Sequence, residues 1–238
     1  MTETLDQTPI HPVKRAELDL TARLAELSEG DGLKMPIKPG PAFVLLAIPI
    51  GEPDYDLVPE DGACEKAARE LISARPGGYD LIERTSESIP PNTFGSFDPN
   101  PNDSINRFAY VHVSDDGMME MVSGAVAESN SGALVGLGLV EKWIRERDAK
   151  AMQTAFEVLE AGGPIMVTVA LLRTHDVEVK SMDAVPAVDG VMPVPYVTIQ
   201  PRCFNDRSAL HADNLAPLVD ALWKKIIQQA SSAESHGA

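Results

Sequence analysis

Apolar and polar residues change their spacing several times along the chain, and each change marks an element. Ala16, Leu20, Leu24 and Leu27 recur at helical intervals with Lys14, Arg15, Asp19 and Arg23 between them, so the spacing predicts a helix over Val13–Ser28 that Gly30 and Gly32 stop. Beyond the proline-glycine connector Pro36–Pro41, Ala42–Ile50 is apolar without alternation, the pattern of a strand covered on both faces. Ala67, Ala68, Leu71 and Ile72 give a second helix over Glu60–Arg75 one apolar face, and Pro76-Gly77-Gly78 closes it. Pro90-Pro91-Asn92 and Phe97–Asp103 read as a long turn-rich loop, because proline cannot donate to a strand ladder and asparagine favours turns.

The clearest local signal runs from Asn106 to Val122. Phe108, Tyr110 and His112 alternate with Ala109, Val111 and Val113; Ser114-Asp115-Asp116-Gly117 then turns the chain into Met118–Val122, which predicts a β-hairpin. A helical stripe returns with Val140, Ile144, Met152, Ala155, Phe156 and Leu159, ending at Gly162-Gly163-Pro164. Ile165–Leu172 then reads as a second buried strand, Tyr196–Ile199 as a short alternating one after a loop rich in Pro and Asp, and Ala209–Gln229 as a terminal helix. This order predicts an α+β fold: a mixed or mostly antiparallel sheet with a β-hairpin, covered by about four helices. Residues 13–230 form the expected single domain, with a mobile arm over 1–12 and a disordered tail over 231–238.

Charge narrows the partners. The chain of 238 residues carries 36 acidic and 20 basic side chains, a net charge of −16, and half of that sits between Gly51 and Ser104, where 12 acidic residues face 4 basic ones. Such a field repels phosphate backbones and anionic membranes, so direct nucleic-acid binding is not expected; another protein, or a second copy of the chain in a dimer, is. No apolar run reaches the ~20 residues of a membrane span, and the charged N-terminus has no signal-peptide core, so the expected location is the cytoplasm. Cys64 and Cys203 share no short-range spacing, which excludes a disulfide framework or a cysteine-rich zinc module.

Candidate chemistry is sparse. Gly132–Gly138 precedes a helix but lacks the Lys-Ser/Thr of a phosphate loop and the G-x-G-x-x-G spacing, and so reads as a connector. His175 and Asp176, at the end of a predicted core strand, and His211 and Asp213, ahead of the last helix, are the candidate metal or ligand residues, since imidazole and carboxylate suit zinc, iron or manganese. Cys203 joins them as a candidate nucleophile, with Arg202 beside it to lower its pKa. Candidate contact residues for a protein partner are Asp98, Asp103, Asp115 and Asp116 in the acidic loops and turn, with Met118 as a soft apolar neighbour.

The chain also resembles a family in pattern: the region that follows the AlbA-like (Schlafen-type) DNA-binding domain in many bacterial proteins. The resemblance rests on the helix around Arg23-Leu24, the strand Phe43–Ile50, and Asn92–Phe97 leading into Phe108–Val122. It continues through Leu139–Leu159 and Gly163–Leu172 to Val177 and ends with Pro217–Trp223, covering about Val13 to Lys225. It implies a companion region concerned with sensing or protein contact and brings no catalytic residues. The AlbA-like domain itself is not among these residues, so its nucleic-acid role is not carried over. Together these readings predict a non-enzymatic, cytoplasmic binding or regulatory module without a cofactor; the alternative is a metal-dependent hydrolase or small-molecule enzyme built on the two His/Asp pairs.

Overall fold

The computed structural model describes residues 10–29, 32–51, 59–73, 89–97, 107–124, 126, 133–181 and 187–234. Its centre is β1 (Ala42–Pro49), which pairs antiparallel with two strands at once. On one side lies β4 (Met119–Ser123), then β3 (Arg107–Val113) and β2 (Thr93–Phe97); on the other lies β5 (Ile165–Leu172), flanked by β8 (Tyr196–Thr198) and β9 (Arg202–Phe204). All of these pairings are antiparallel, the sheet has seven strands among the described residues, and the expected α+β class with its β3–β4 hairpin is observed. A separate hairpin, β6 (Glu178–Ser181) and β7 (Val188–Val191), stands beside it.

Alternation along β1 divides the core in two. Phe43, Leu45 and Ala47 face α2 (Ala63–Ser73), α3 (Gly138–Trp143), α4 (Ala149–Val158) and α5 (Ala212–Glu234). Val44, Leu46 and Ile48 face α1 (Pro12–Ser28) together with Met35 and Ile37. The sheet is thus the middle of three layers, which explains why the sequence of β1 and β5 shows no polar face. Each large side chain sealed in these layers stabilises the fold by roughly 1.5–3 kcal/mol relative to exposure.

Several elements depart from the sequence reading. The long helical stripe is one continuous run in which a π-helical segment (Ile144–Asp148) joins α3 to α4. Thr93–Phe97, next to the turn-rich loop, is the edge strand β2, and the Pro- and Asp-rich loop contains β6 and β7. The connector after residue 132 is tied down, since Leu134 bridges to Val179 and exchanges backbone hydrogen bonds with Glu178 and Lys180. At the C-terminus α5 continues to Glu234, into the segment read as a tail.

Candidate functional site

Strand register places Thr93, His112, Glu120, Leu46 and Thr168 on one rung across β2, β3, β4, β1 and β5, on the face turned towards α1. Tyr110 lies two rungs along, on the same face and opposite Val122. The turn that sets this register is a three-residue loop, Asp115–Gly117, closed by Ser114 and Met118, with Gly117 at φ 78° where other residues are strained.

Glu120 is only 1% exposed, so its charge needs a partner, and α1 supplies one. Arg23 projects from the apolar stripe of α1 and, at 6% exposure, holds both oxygens of Glu120: Nε donates to Oε2 at 2.6 Å and Nη2 to Oε1 at 3.1 Å. The guanidinium also donates to Glu26 Oε2 at 2.6 Å and to the Gly32 carbonyl at 2.6 Å. These bonds use four of its five N–H groups. Gly32 comes so close to α1 that a Cβ there would lie 2.3 Å from the Glu26 carbonyl oxygen. Only glycine at position 32 lets its own carbonyl reach Arg23.

The phenol of Tyr110 donates to Glu120 Oε1 and accepts from the Lys34 amide at 3.3 Å. Burial, reinforced by the Glu120 charge, pushes its pKa well above the usual tyrosine value, so it keeps its proton. His112 Nδ1 lies 2.9 Å from the Thr93 hydroxyl, which also reaches the Pro91 carbonyl at 3.3 Å. Burial lowers the His112 pKa, with Lys34 and Arg23 adding to the effect against Glu120, so the ring is neutral near pH 7. Desolvation works against the charge of Arg23 too, but the hydrogen bond and charge of Glu120 and the bond to Glu26 outweigh it and raise its pKa.

This network opens to solvent through a groove of about 370 Å³ at the C-terminal end of α1, lined by Arg23, Glu26, Glu29, Gly32, Leu33, Lys34 and Pro90. Arg23 is the buried member of that lining. Two carboxylates and two cations therefore share one concavity with two apolar side chains.

The residues singled out from the sequence lie elsewhere. His175 pairs with Asp176 at 2.9 Å on the surface after the C-terminal end of β5, where the two are 60% and 81% exposed. His211 hydrogen-bonds Asn214 at 3.0 Å and Asp213 pairs with Arg145 at 3.1 Å, beyond β9 and thus beyond the opposite end of β5. An eight-residue strand separates the two pairs by roughly 25 Å, so they do not converge. Among the described residues no group of three or more His, Cys, Asp or Glu is placed to hold a metal ion. Cys203 is exposed and Cys64 buried. Desolvation raises both thiols, with Asp115 and Asp116 adding to it at Cys64, so neither is an activated nucleophile. Asp98 and Asp103 fall outside the described residues. Asp115 and Asp116 are exposed at the hairpin turn, while Met118 is half-buried against the α1-side core and Met119 and Met121 are fully inside.

No protein-family model matches this chain, and no curated protein or solved structure is a significant match to it. The resemblance to the AlbA-associated region gains no support from these comparisons. Among the described residues no helix is long and apolar enough to cross a membrane.

Arg23, Glu120, Tyr110, His112 and Lys34 were all missed as site residues by sequence reasoning. Two signals were nevertheless present. Arg23 stands three residues after Leu20 and four before Leu27, on the apolar stripe of its helix, and Glu120 interrupts the apolar run Met118–Val122. A charge at a core position on each of two elements is the mark of a buried pair.

Proposed function

We propose that the chain is a non-enzymatic binding module of regulatory type, which meets its ligand or partner in the groove at the end of α1. The observation that carries this reading is the construction of the groove: a guanidinium fixed by Glu120, Glu26 and Gly32, with a fifth N–H outside these bonds, lines it beside the half-buried Lys34. A fixed cation with residual donor capacity binds without paying to organise itself.

The chemistry of the surrounding groups favours binding over catalysis. Both Glu120 oxygens are occupied, Tyr110 retains its proton, and Thr93, the hydroxyl beside His112, is 1% exposed and out of reach of a substrate. Net charge −16 disfavours nucleic acid and anionic membranes as partners, and the cytoplasm is the compartment this reading assumes.

Native mass spectrometry of the protein isolated from its source at low salt, wild type beside Lys34→Glu, tests the proposal. A bound small molecule or chain carried by the wild type and lost from the variant is expected. Absence of any bound mass from the wild type, or its full retention by Lys34→Glu, overturns it.

A further inference from the structure

Resting on the groove as the binding site, we infer that its ligand is a free α-amino acid, recognised through both its carboxylate and its ammonium group. Three ligand classes can be compared on charge. Among the described residues Arg23 and Lys34 set two cations against the carboxylates of Glu26, Glu29 and the underlying Glu120, a balance close to neutral and slightly negative. An anion meets Glu26 and Glu29 at the rim and the field of a chain with net charge −16. A cation meets Lys34 and Arg23.

A zwitterion uses both sets of groups at once and, carrying no net charge, crosses the field of the protein without net work. Its carboxylate takes the spare N–H of Arg23 and the Lys34 ammonium. Its ammonium group takes the exposed Glu29 carboxylate and Glu26, of which only Oε2 is used by Arg23. Leu33 and Pro90 are left for an apolar side chain. The volume, about 370 Å³, is at the lower end of the range for small-molecule clefts and suits a single amino acid rather than a peptide.

Titration of the full chain with L-leucine, leucinamide and N-acetylleucine, followed by backbone amide NMR, reads the two charged contacts separately. Saturable shifts at Gly32, Leu33 and Lys34 with leucine are expected, with each blocked compound at least about tenfold weaker. Lys34→Met is expected to narrow the gap between leucine and leucinamide, with Arg23 still in place, and Glu29→Gln to narrow the preference over N-acetylleucine, with Glu26 still in place; both side chains lie at or near the surface, so the folded spectrum serves as its own control. Absence of saturation by leucine up to about 20 mM overturns the inference, as does N-acetylleucine binding as well as leucine. The broader binding reading survives either result if Lys34→Glu still strips the mass that the wild type carries, and fails with it if that mass is retained.

Discussion

Replacing Arg23 by methionine removes the charge that holds Glu120 while keeping much of the side-chain volume. Glu120, 1% exposed, is then left with the Tyr110 hydroxyl alone. Removing one partner of a buried pair costs about 3–5 kcal/mol, a large share of the roughly 5–15 kcal/mol by which a domain is stable. Glu120→Met leaves the guanidinium with Glu26 and the Gly32 carbonyl and belongs at the lower end of that range. The double variant Arg23→Met/Glu120→Met leaves no buried charge; what remains is the loss of a partner for the Tyr110 hydroxyl and the Gly32 carbonyl, about 1–3 kcal/mol. Singles of that size and a double of this one give a coupling energy of about 3 kcal/mol or more. Urea midpoints for the four proteins at unchanged m-value supply the measurement. A double variant destabilised by the full sum of the two singles would refute the reasoning, because it would mean that the two charges do not meet in the folded protein.

Four further outcomes follow from the same geometry. Because burial lowers the folded-state pKa of His112, the unfolded chain binds the extra proton first; its contribution should be intact above about pH 6.5 and fall as pH drops through the folded-state value, a loss that His112→Gln should remove from the stability profile. Tyr110 has the opposite sense: its raised pKa makes stability decline as pH climbs above about 10, and Tyr110→Phe should flatten that limb at a cost of about 1–2 kcal/mol near neutrality. Gly32→Ala, whose methyl would crowd the Glu26 carbonyl, should cost about 1–3 kcal/mol and shift the amides of Glu26 and Lys34, whereas Gly162→Ala, with open space around it, should leave them in place. Phe156→Ala, emptying a fully buried position between the helices and the sheet, should lower stability by about 3–5 kcal/mol without altering the groove signals, as denaturant melts and amide spectra will report.

The elements were legible wherever period alone decided them. β1 and β5 announced themselves as unbroken apolar runs because each is covered on both faces, and the β3–β4 hairpin followed from its alternation and Asp116-Gly117. β2, β6 and β7 were not visible, since edge and hairpin strands of four or five residues gain their definition from the neighbour they pair with. The π-helical segment has no sequence signature against an α-helical background. The binding groove failed to show for a related reason. Arg23 and Glu120 lie 97 positions apart, and only the antiparallel β1–β4–β3 register brings the sheet face carrying Glu120 beneath α1. Attention to His and Cys led instead to His175 and His211, which the strand between them holds at opposite ends of the sheet.

Hydrogen–deuterium exchange on the protein carrying its co-purified ligand or partner, compared with the stripped protein, tests most directly where recognition occurs. Protection confined to Glu26–Glu29, Gly32–Lys34 and the neighbourhood of Pro90 is the predicted result. Protection centred on Arg173–Asp176 or Asp206–Asn214, with the end of α1 unchanged, would contradict the account and return the site to the histidines.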